Sequence, residues 1–310
     1  MAQGQGDAEA RKKISSSSRL DSSTSRRRLT ESPSQVDTSR FIPPPSKRLG
    51  QHFLHNPRVI NQIIAAVAPN PGETIIEIGP GRGALTGKLL AQAGTVVAVE
   101  FDKNLVSTLG RKFTSQTNFK LIQADALTTD FCFEILPARQ ARLVANLPYN
   151  ISTKILQRLI DQRSCLTEMI LMLQREVVER ITAPPGSAKR GYLSVLIEAY
   201  AATEKLFDVS PNAFQPVPKV WSGVIRVIPR SSVGLEVKDE ELLKQLVSAG
   251  FAKRRKTILN NLRGAPTNLQ ERIKQHGGAS IILCEANVSL QRRAETLSLA
   301  EWGRITNVLE

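Results

Sequence analysis

Three histidines and three cysteines are all that 310 residues contain of these two types. Both are common ligands of transition metals, and neither is grouped. His52, His55 and His276 form no ligand pattern, and Cys132, Cys165 and Cys284 lack metal-like spacing, so no metal site is expected. Each cysteine sits among apolar residues, which predicts buried free thiols. No apolar stretch approaches the roughly 20 residues that span a bilayer. The first residues lack the apolar core of a secretory signal, so a cytoplasmic protein with no membrane partner is expected. The phosphate-binding pattern G-x-x-x-x-G-K-S/T is also missing, which argues against ATP as a ligand. No internal repeat is present.

What the chain has in excess is positive charge, with 42 Lys and Arg against 28 Asp and Glu, a formal +14. That balance suits nucleic acid, an anionic membrane or an acidic protein, and alone it does not choose among them. Residues 1–45 are rich in Ser, Arg, Gln and Pro and nearly free of periodic apolar residues. Such a segment cannot bury enough surface to offset its ordering entropy, so a disordered basic tail is predicted there. Its arginines and serines are similar to those of an organelle transit peptide. Asp7, Glu9, Asp21, Glu31 and Asp37 argue against that reading, because transit peptides are poor in acids. A basic arm that strengthens RNA binding, or a chain start assigned too early, fits better.

From residue 46 the pattern is globular. Asn56 and Pro57 are a cap and a first position for a helix over Pro57–Val67. Apolar runs at 74–79, 95–100, 119–125, 141–147 and 168–174 read as buried parallel strands, with helix-like stretches near 84–93, 103–112 and 153–161 between them. Two later runs, 194–210 and 222–230, lie closer together and suit an antiparallel pair. The whole predicts a doubly wound α/β sheet, mostly parallel, with an antiparallel hairpin at one edge. Beyond Pro229 the apolar spacing turns helical, which predicts a small all-helical domain over 233–310 behind a sheet domain over 46–232.

"EIGPGRGALT" (77–86) follows the first of these strands and opens a helix, where an open α/β sheet binds its ligand. Gly79, Gly81 and Gly83 permit tight turns and close backbone approach. Glu100 ends the second strand, 21 positions after Gly79, where a carboxylate can accept from both hydroxyls of a ribose. An acid closing "TVVAVE" is costly unless it faces a cleft or a partner. Asp125 ends the third run and is placed to accept from an adenine amino group. Together these strand ends describe a pocket for an adenosine cofactor without a phosphate chain, for which S-adenosylmethionine is the obvious candidate.

The fourth strand runs into Asn146-Leu147-Pro148-Tyr149. An exocyclic amine conjugated to a ring attacks a sulfonium methyl only if its nitrogen becomes more pyramidal and aims its lone pair along the C–S bond. Two acceptors can hold its N–H bonds: the Asn146 side-chain oxygen and a backbone carbonyl, that of Leu147. Pro148 fixes the turn, and Tyr149 offers a flat face for a base. No strong general base is needed, since the nitrogen grows acidic once alkylated, and catalysis is mainly alignment and electrostatics.

Four stretches, "KRLGQHFLHNPRVI" (47–60), "EIGPGRGALT" (77–86), "NLPYNIST" (146–153) and "AFQPVPKVWSGVIR" (213–226), resemble the small-subunit ribosomal RNA adenine dimethyltransferases. That family is itself similar to the erythromycin-resistance rRNA methylases. The resemblance runs from about Lys47 to the C-terminus. It implies a Rossmann-like class I methyltransferase fold and S-adenosylmethionine as cofactor. It also implies a cofactor set of His52, Leu54, Gly79, Gly81, Glu100, Asp125, Ala126 and Asn146, with "GQHFL" as a lid. Many relatives carry Asn at the position of His52. It further implies a catalytic set of Asn146, Leu147, Pro148, Tyr149 and Phe214, with Phe214 facing the target adenine opposite Tyr149 so that a flipped base is sandwiched. Core packing is what Phe214 suggests without the resemblance. The implied substrate is 16S rRNA within the small ribosomal subunit, methylated on N6 of two adjacent adenines in a loop near its 3′ end, by a monomer.

Lys253, Arg254, Arg255 and Lys256 form a single-signed run, with Arg263 about two helical turns later, which favours phosphate contact over a solvated face. Lys189 and Arg190, and the Ser46–Arg48 segment, are further RNA-contact candidates. Two other readings stand beside the enzyme. One is a non-catalytic ribosome-assembly or transcription factor on the same fold, against which the intact Asn146–Tyr149 stretch, Glu100 and Asp125 argue. The other is a resistance methylase of large-subunit RNA, against which "PVPKVWS" and the basic helical region argue.

Overall fold

The computed structural model describes residues 43–230 and 232–310, which belong to one compact unit. The tail expected over 1–45 lies outside the described residues except for Pro43–Pro45.

Among the described residues nine strands form, β1 (Phe53–Leu54), β2 (Thr74–Ile78), β3 (Thr95–Glu100), β4 (Phe119–Gln123), β5 (Ala141–Asn146), β6 (Leu166–Gln174), β7 (Ala201–Val209), β8 (Phe214–Gln215) and β9 (Ser222–Pro229). Seven of them make one sheet in the order β4-β3-β2-β5-β6-β9-β7. β4 through β6 are parallel neighbours, whereas β9 pairs antiparallel with both β6 and β7. β1 and β8 form a separate antiparallel pair in which Phe53 faces Gln215 and Leu54 faces Phe214.

The central strands are apolar on both faces because helices cover both. Ile75 and Ile76 of β2 are fully buried, as are Val96 and Ala98 of β3. One covering helix is α1 (Pro57–Val67), where Asn56 Oδ1 accepts from the Arg58 and Val59 amides at 3.0 and 3.3 Å. Its buried residues Ile60, Ile63, Ile64 and Val67 recur at helical spacing. Burial of each contributes roughly 1.5–3 kcal/mol. The other helices of the sheet region are α2 (Thr86–Leu90), α3 (Lys103–Lys112), α4 (Phe131–Glu134), α5 (Ser152–Asp161), α6 (Arg175–Ile181) and α7 (Tyr192–Tyr200).

Across the lower sheet the register is reinforced by charge. Arg142 of β5 donates from Nε to Glu168 of β6 at 2.7 Å, Glu168 meets Arg226 of β9 at 2.8 Å, and Arg226 meets Glu204 of β7 at 2.6 Å. Four adjacent strands are thus linked by side chains as well as by backbone.

Four expectations change. The run 194–210 is not one strand: Tyr192–Tyr200 is helical and the strand begins at Ala201. Seven of the nine helical residues are buried, so the run is apolar all round and carries no period to separate helix from strand. The helix foreseen near 84–93 is only the five residues of α2. Cys132 and Cys165 are not free thiols but are joined in a disulfide, and Cys284 is free yet exposed. The Phe131 amide donates to Gln162 Oε1 at 2.7 Å and draws two segments 33 positions apart together. Finally, Arg190 is no surface cation. It is 1% exposed and donates to the Ala183 carbonyl at 2.9 Å and to Glu198 at 2.6 Å.

Beyond the sheet come α8 (Glu240–Gly250), α9 (Ile258–Arg263), α10 (Thr267–Gln275), α11 (Ala279–Glu285) and α12 (Leu299–Val308). Their buried residues, fully buried Trp302 among them, share one continuous hydrophobic cluster with β5, β6 and α7. Arg163, ahead of β6, reaches Glu240 of α8 at 2.9 Å and lies 4.6 Å from the Tyr200 ring centre.

Candidate active site

Chain order reverses between β2 and β5: β3 and β4 extend the sheet to one side, β6 to the other. Open α/β sheets place their ligands at the carboxyl ends of strands at such a point. Here that is where Gly79 follows β2 and Asn146 ends β5. The two are in near contact, since a Cβ on Gly79 would lie 3.8 Å from the Asn146 carbonyl oxygen. A cavity of about 280 Å³ opens there.

Its floor is the glycine turn. Gly81 and Gly83 have φ of +59° and +74°, values that L-residues with side chains rarely adopt. A Cβ on Gly83 would also come within 2.8 Å of the Phe113 ring. The turn is tied back by the Gly79 amide, which donates to the Val99 carbonyl at 2.9 Å.

Glu100 stands at the wall. It is buried, and its two oxygens accept from the Gly81 and Asp102 amides at 3.2 and 2.9 Å. Burial pushes its carboxyl above the usual carboxylate range, against the opposing pull of those two donors. Asp125 lies two residues past the end of β4 rather than on it, and its Oδ1 caps the following turn through the Leu127 amide at 2.9 Å. Both acids line the cavity, with Ala126 beside them.

Asn146 closes β5. Its Nδ2 donates to the His52 carbonyl at 3.2 Å, which engages one of the amide's two N–H donors and orients this cavity-lining side chain. The Leu147 amide donates to the Met172 carbonyl at 3.2 Å, and Leu147 and Pro148 carry the chain over the rim. The Tyr149 hydroxyl lies 2.6 Å from Ser222 Oγ, which is itself buried at the start of β9. Burial raises the pKa of that phenol, so it remains neutral at physiological pH.

Over the top runs the segment ahead of β1. Leu49, Gly50, Gln51, His52 and Leu54 all line the cavity. Gln51 Nε2 donates to Asp102 Oδ2 at 3.0 Å, which fastens this strap to the loop after Glu100. The His52 Nδ1 donates to the Pro216 carbonyl at 2.7 Å, and the His52 ring stacks on Tyr149 with centres 5.6 Å apart.

Every residue proposed for the cofactor or the reaction lines this cavity except Phe214. Phe214 is 1% exposed and packed in the core cluster that holds Leu54 and Val209. Phe214 thus lies beneath the cavity surface rather than on it, next to Leu54, its partner across the β1–β8 pair, and His52 stacks on Tyr149.

Three contributors were not singled out from the sequence. Glu77 of β2 is 2% exposed, lines the cavity, and accepts from Thr86 Oγ1 at 2.6 Å. Burial pushes its carboxyl up to about 7. Lys112 is drawn down by burial while Glu77 opposes that shift. The signal for Glu77 was the acid in "TIIEIG", an otherwise apolar strand. Phe101, about half exposed, follows Glu100 on the wall, and Gln51 holds the strap.

The basic residues fall elsewhere. Lys253, Arg254, Arg255 and Lys256 lie exposed in the turn between α8 and α9, not on a helix face, and Arg263 is exposed at the end of α9. Arg254 donates to the Ala188 carbonyl, and Lys189 pairs with Glu179 at 2.6 Å.

A doubly wound sheet in this strand order, with a glycine turn, two strand-end acids and an amide at the reversal, defines a Rossmann-like class I methyltransferase. Residues 45–304 match the family described as Ribosomal RNA adenine dimethylase, and the chain belongs to that family. It is 42% identical over 265 residues to Ribosomal RNA small subunit methyltransferase A of Hahella chejuensis, covering 84% of this chain and 91% of that one. To the protein of the same name from Pseudomonas putida it is 43% identical, covering 85% and 94%. Among solved structures, a dimethyladenosine transferase from Plasmodium falciparum matches with a TM-score of 0.70 at 24% identity, over 82% of this chain and 96% of that one. The 23S rRNA methyltransferase ErmE matches with 0.61 at 24% identity, over 83% and 99%. These two structural matches speak to the fold.

Proposed function

We propose that this protein transfers methyl groups from S-adenosylmethionine to N6 of two adjacent adenines in a loop near the 3′ end of 16S rRNA, within the small ribosomal subunit, as a monomer. The product is N6,N6-dimethyladenosine. The observation that carries this reading is Asn146, which lines the cavity at the sheet's reversal with its Nδ2 held by the His52 carbonyl.

The cavity suits the cofactor. Gly79 and Gly81 leave room for close approach, Glu100 and Asp125 offer acceptors to a ribose and a purine amine, and Glu77 lies below as a buried carboxyl. When bound, S-adenosylmethionine supplies an electrophilic methyl group on a sulfonium. The chain's part is to hold the acceptor amine. Asn146 Oδ1 and the Leu147 carbonyl accept its two N–H bonds, which draws the nitrogen out of conjugation. Tyr149 supports the ring, with its hydroxyl pinned by Ser222. For the base to stack on Tyr149, the His52 ring must move aside or stack on the base's other face. Once alkylated, the nitrogen gives its proton to solvent, so a basic side chain is not required.

The exposed basic turn 253–256 and Arg263 would hold the RNA backbone, and the helical region over 233–310 would serve as the RNA-binding part. Relatives named as small-subunit methyltransferases at about 40% identity support the small subunit over the large as target. The test is transfer of radiolabelled methyl groups to small subunits purified from a strain lacking this modification. Label in N6,N6-dimethyladenosine near the 3′ end is expected. Binding without transfer would favour a non-catalytic assembly factor, and label only in the large-subunit RNA would favour a resistance methylase.

A further inference from the structure

The segment between β8 and β9 leaves three large apolar side chains in solvent. Val217 is 58% exposed, Val220 41% and Trp221 45%, with exposed Lys219 among them. Large apolar side chains exposed together form the kind of patch that marks an interaction site. This one is held rather than loose. The Arg175 amide donates to the Trp221 carbonyl at 2.9 Å, and the next residue, Ser222, is the one that holds the Tyr149 hydroxyl. The other end of the segment is fixed by the Pro216 carbonyl, which accepts from His52.

The position is at the carboxyl edge of the sheet. Gln174 of β6 pairs with Ser222, and Asn146 pairs with Met172, so Trp221 and Arg175 lie on the rim next to Asn146–Tyr149. The Arg175 guanidinium lies 5.9 Å from the Trp221 ring centre. It is about half exposed and only 3.9 Å from Glu179, whose main partner is Lys189. α6 carries Arg175 and Arg180 together with Glu176 and Glu179, Lys189 beyond it pairs with Glu179, and the neighbouring Ala188 carbonyl receives Arg254 of the 253–256 turn. An aromatic face with Arg175 and Lys219 beside it thus lies on the rim of the reaction cavity.

We infer that Trp221 is a stacking platform for an unpaired base flanking the target adenine, with Arg175 and Lys219 meeting its phosphates. This rests on the adenine-methylation reading and extends it to a second nucleotide. An unpaired base stacks on a flat aromatic face irrespective of its identity, and the cations explain why the face prefers nucleic acid to an apolar protein surface. One base in the cavity and its neighbour on the rim would splay the strand, which exposes the target amine.

The chain has two tryptophans, and Trp302 is fully buried, so fluorescence quenching reports on Trp221. Titrating the whole protein with a hairpin RNA whose loop carries adjacent unmethylated adenines should quench the exposed component. With undermethylated small subunits, Trp221→Ala should raise KM about tenfold, leave kcat within about twofold and leave cofactor affinity unchanged. Trp221→Phe should restore most of the loss, while Trp221→Leu, apolar but without a flat π face, should not. Leucine restoring as well as phenylalanine would assign the patch to a protein surface and overturn the platform, as would unquenched emission at saturating RNA. If the wild type quenched but transferred no methyl group, the reaction reading would fall and the platform would stand.

Discussion

The two walls of the cavity are built by different means. The cofactor wall comes from three consecutive strand ends, at Gly79, Glu100 and Asp125, each a few residues from its own turn. Its Glu100 is buried, and it is specified by backbone contacts such as those of Gly81 and Asp102 with Glu100. The acceptor wall is assembled from segments far apart in the chain: the strap around His52, the Asn146–Tyr149 turn, and the Pro216–Ser222 segment. A local wall tolerates change elsewhere in the chain, whereas an assembled wall depends on several long-range contacts at once.

The sharpest way to separate the walls is Asn146→Ala. Methyl transfer should fall by a factor of about 100 or more, as for a lost preorganised hydrogen bond, while cofactor affinity stays within about tenfold. Radiolabel transfer and calorimetric titration check the two halves, and unchanged turnover would remove Asn146 from the acceptor wall.

Next in size is neutralising Lys253, Arg254, Arg255 and Lys256 together. RNA affinity should drop at least tenfold near 0.1 M salt, and the slope of log affinity against log salt should flatten by about 3 if all four meet phosphates. Cofactor binding should not change. A slope equal to wild type would return these residues to solvent.

The cofactor wall is tested by pH. Glu77 is raised to about 7 by burial, with Glu100 also raised and Lys112 lowered nearby. A bound sulfonium favours the carboxylate, so cofactor affinity should rise several-fold from pH 6 to 8, and Glu77→Gln should flatten that rise. For folding the sign is opposite. The folded chain holds the Glu77 proton more tightly than the unfolded one, so this contribution to stability is full below about 4.5 and is lost as pH climbs to about 7. Thermal melts of wild type and Glu77→Gln across that window measure it.

The smallest effect belongs to the floor. Gly83→Ala meets both an unfavourable φ and the Phe113 ring, and should cost about 2 kcal/mol, lowering Tm by about 5 °C. An unshifted melt would show that the turn relaxes freely.

Legibility followed the same division. Glu100 and Asn146 could be read because an acid or amide closing an apolar strand is a local anomaly. The helix Pro57–Val67 was readable from its cap and spacing, and both agree with the structure. The burial of Phe214 was the reading its own sequence context favoured, whereas the joining of Cys132 to Cys165 could not be read, since it depends on residues 33 positions apart, and neither could the burial of Arg190, which looked like half of a basic pair. The basic run was visible as charge, but its place on a turn rather than a helix face was not.

By itself, then, the sequence determined the alternation of strands and helices, the glycine turn, the strand-end acids and the excess of positive charge. These follow from periodicity, backbone freedom and composition, which act over a few residues. Tertiary structure alone decided which strand stands beside which, and so that Asn146 reaches the His52 carbonyl and Ser222 reaches Tyr149. Such contacts form only when distant segments share one core, and no short stretch of chain encodes them.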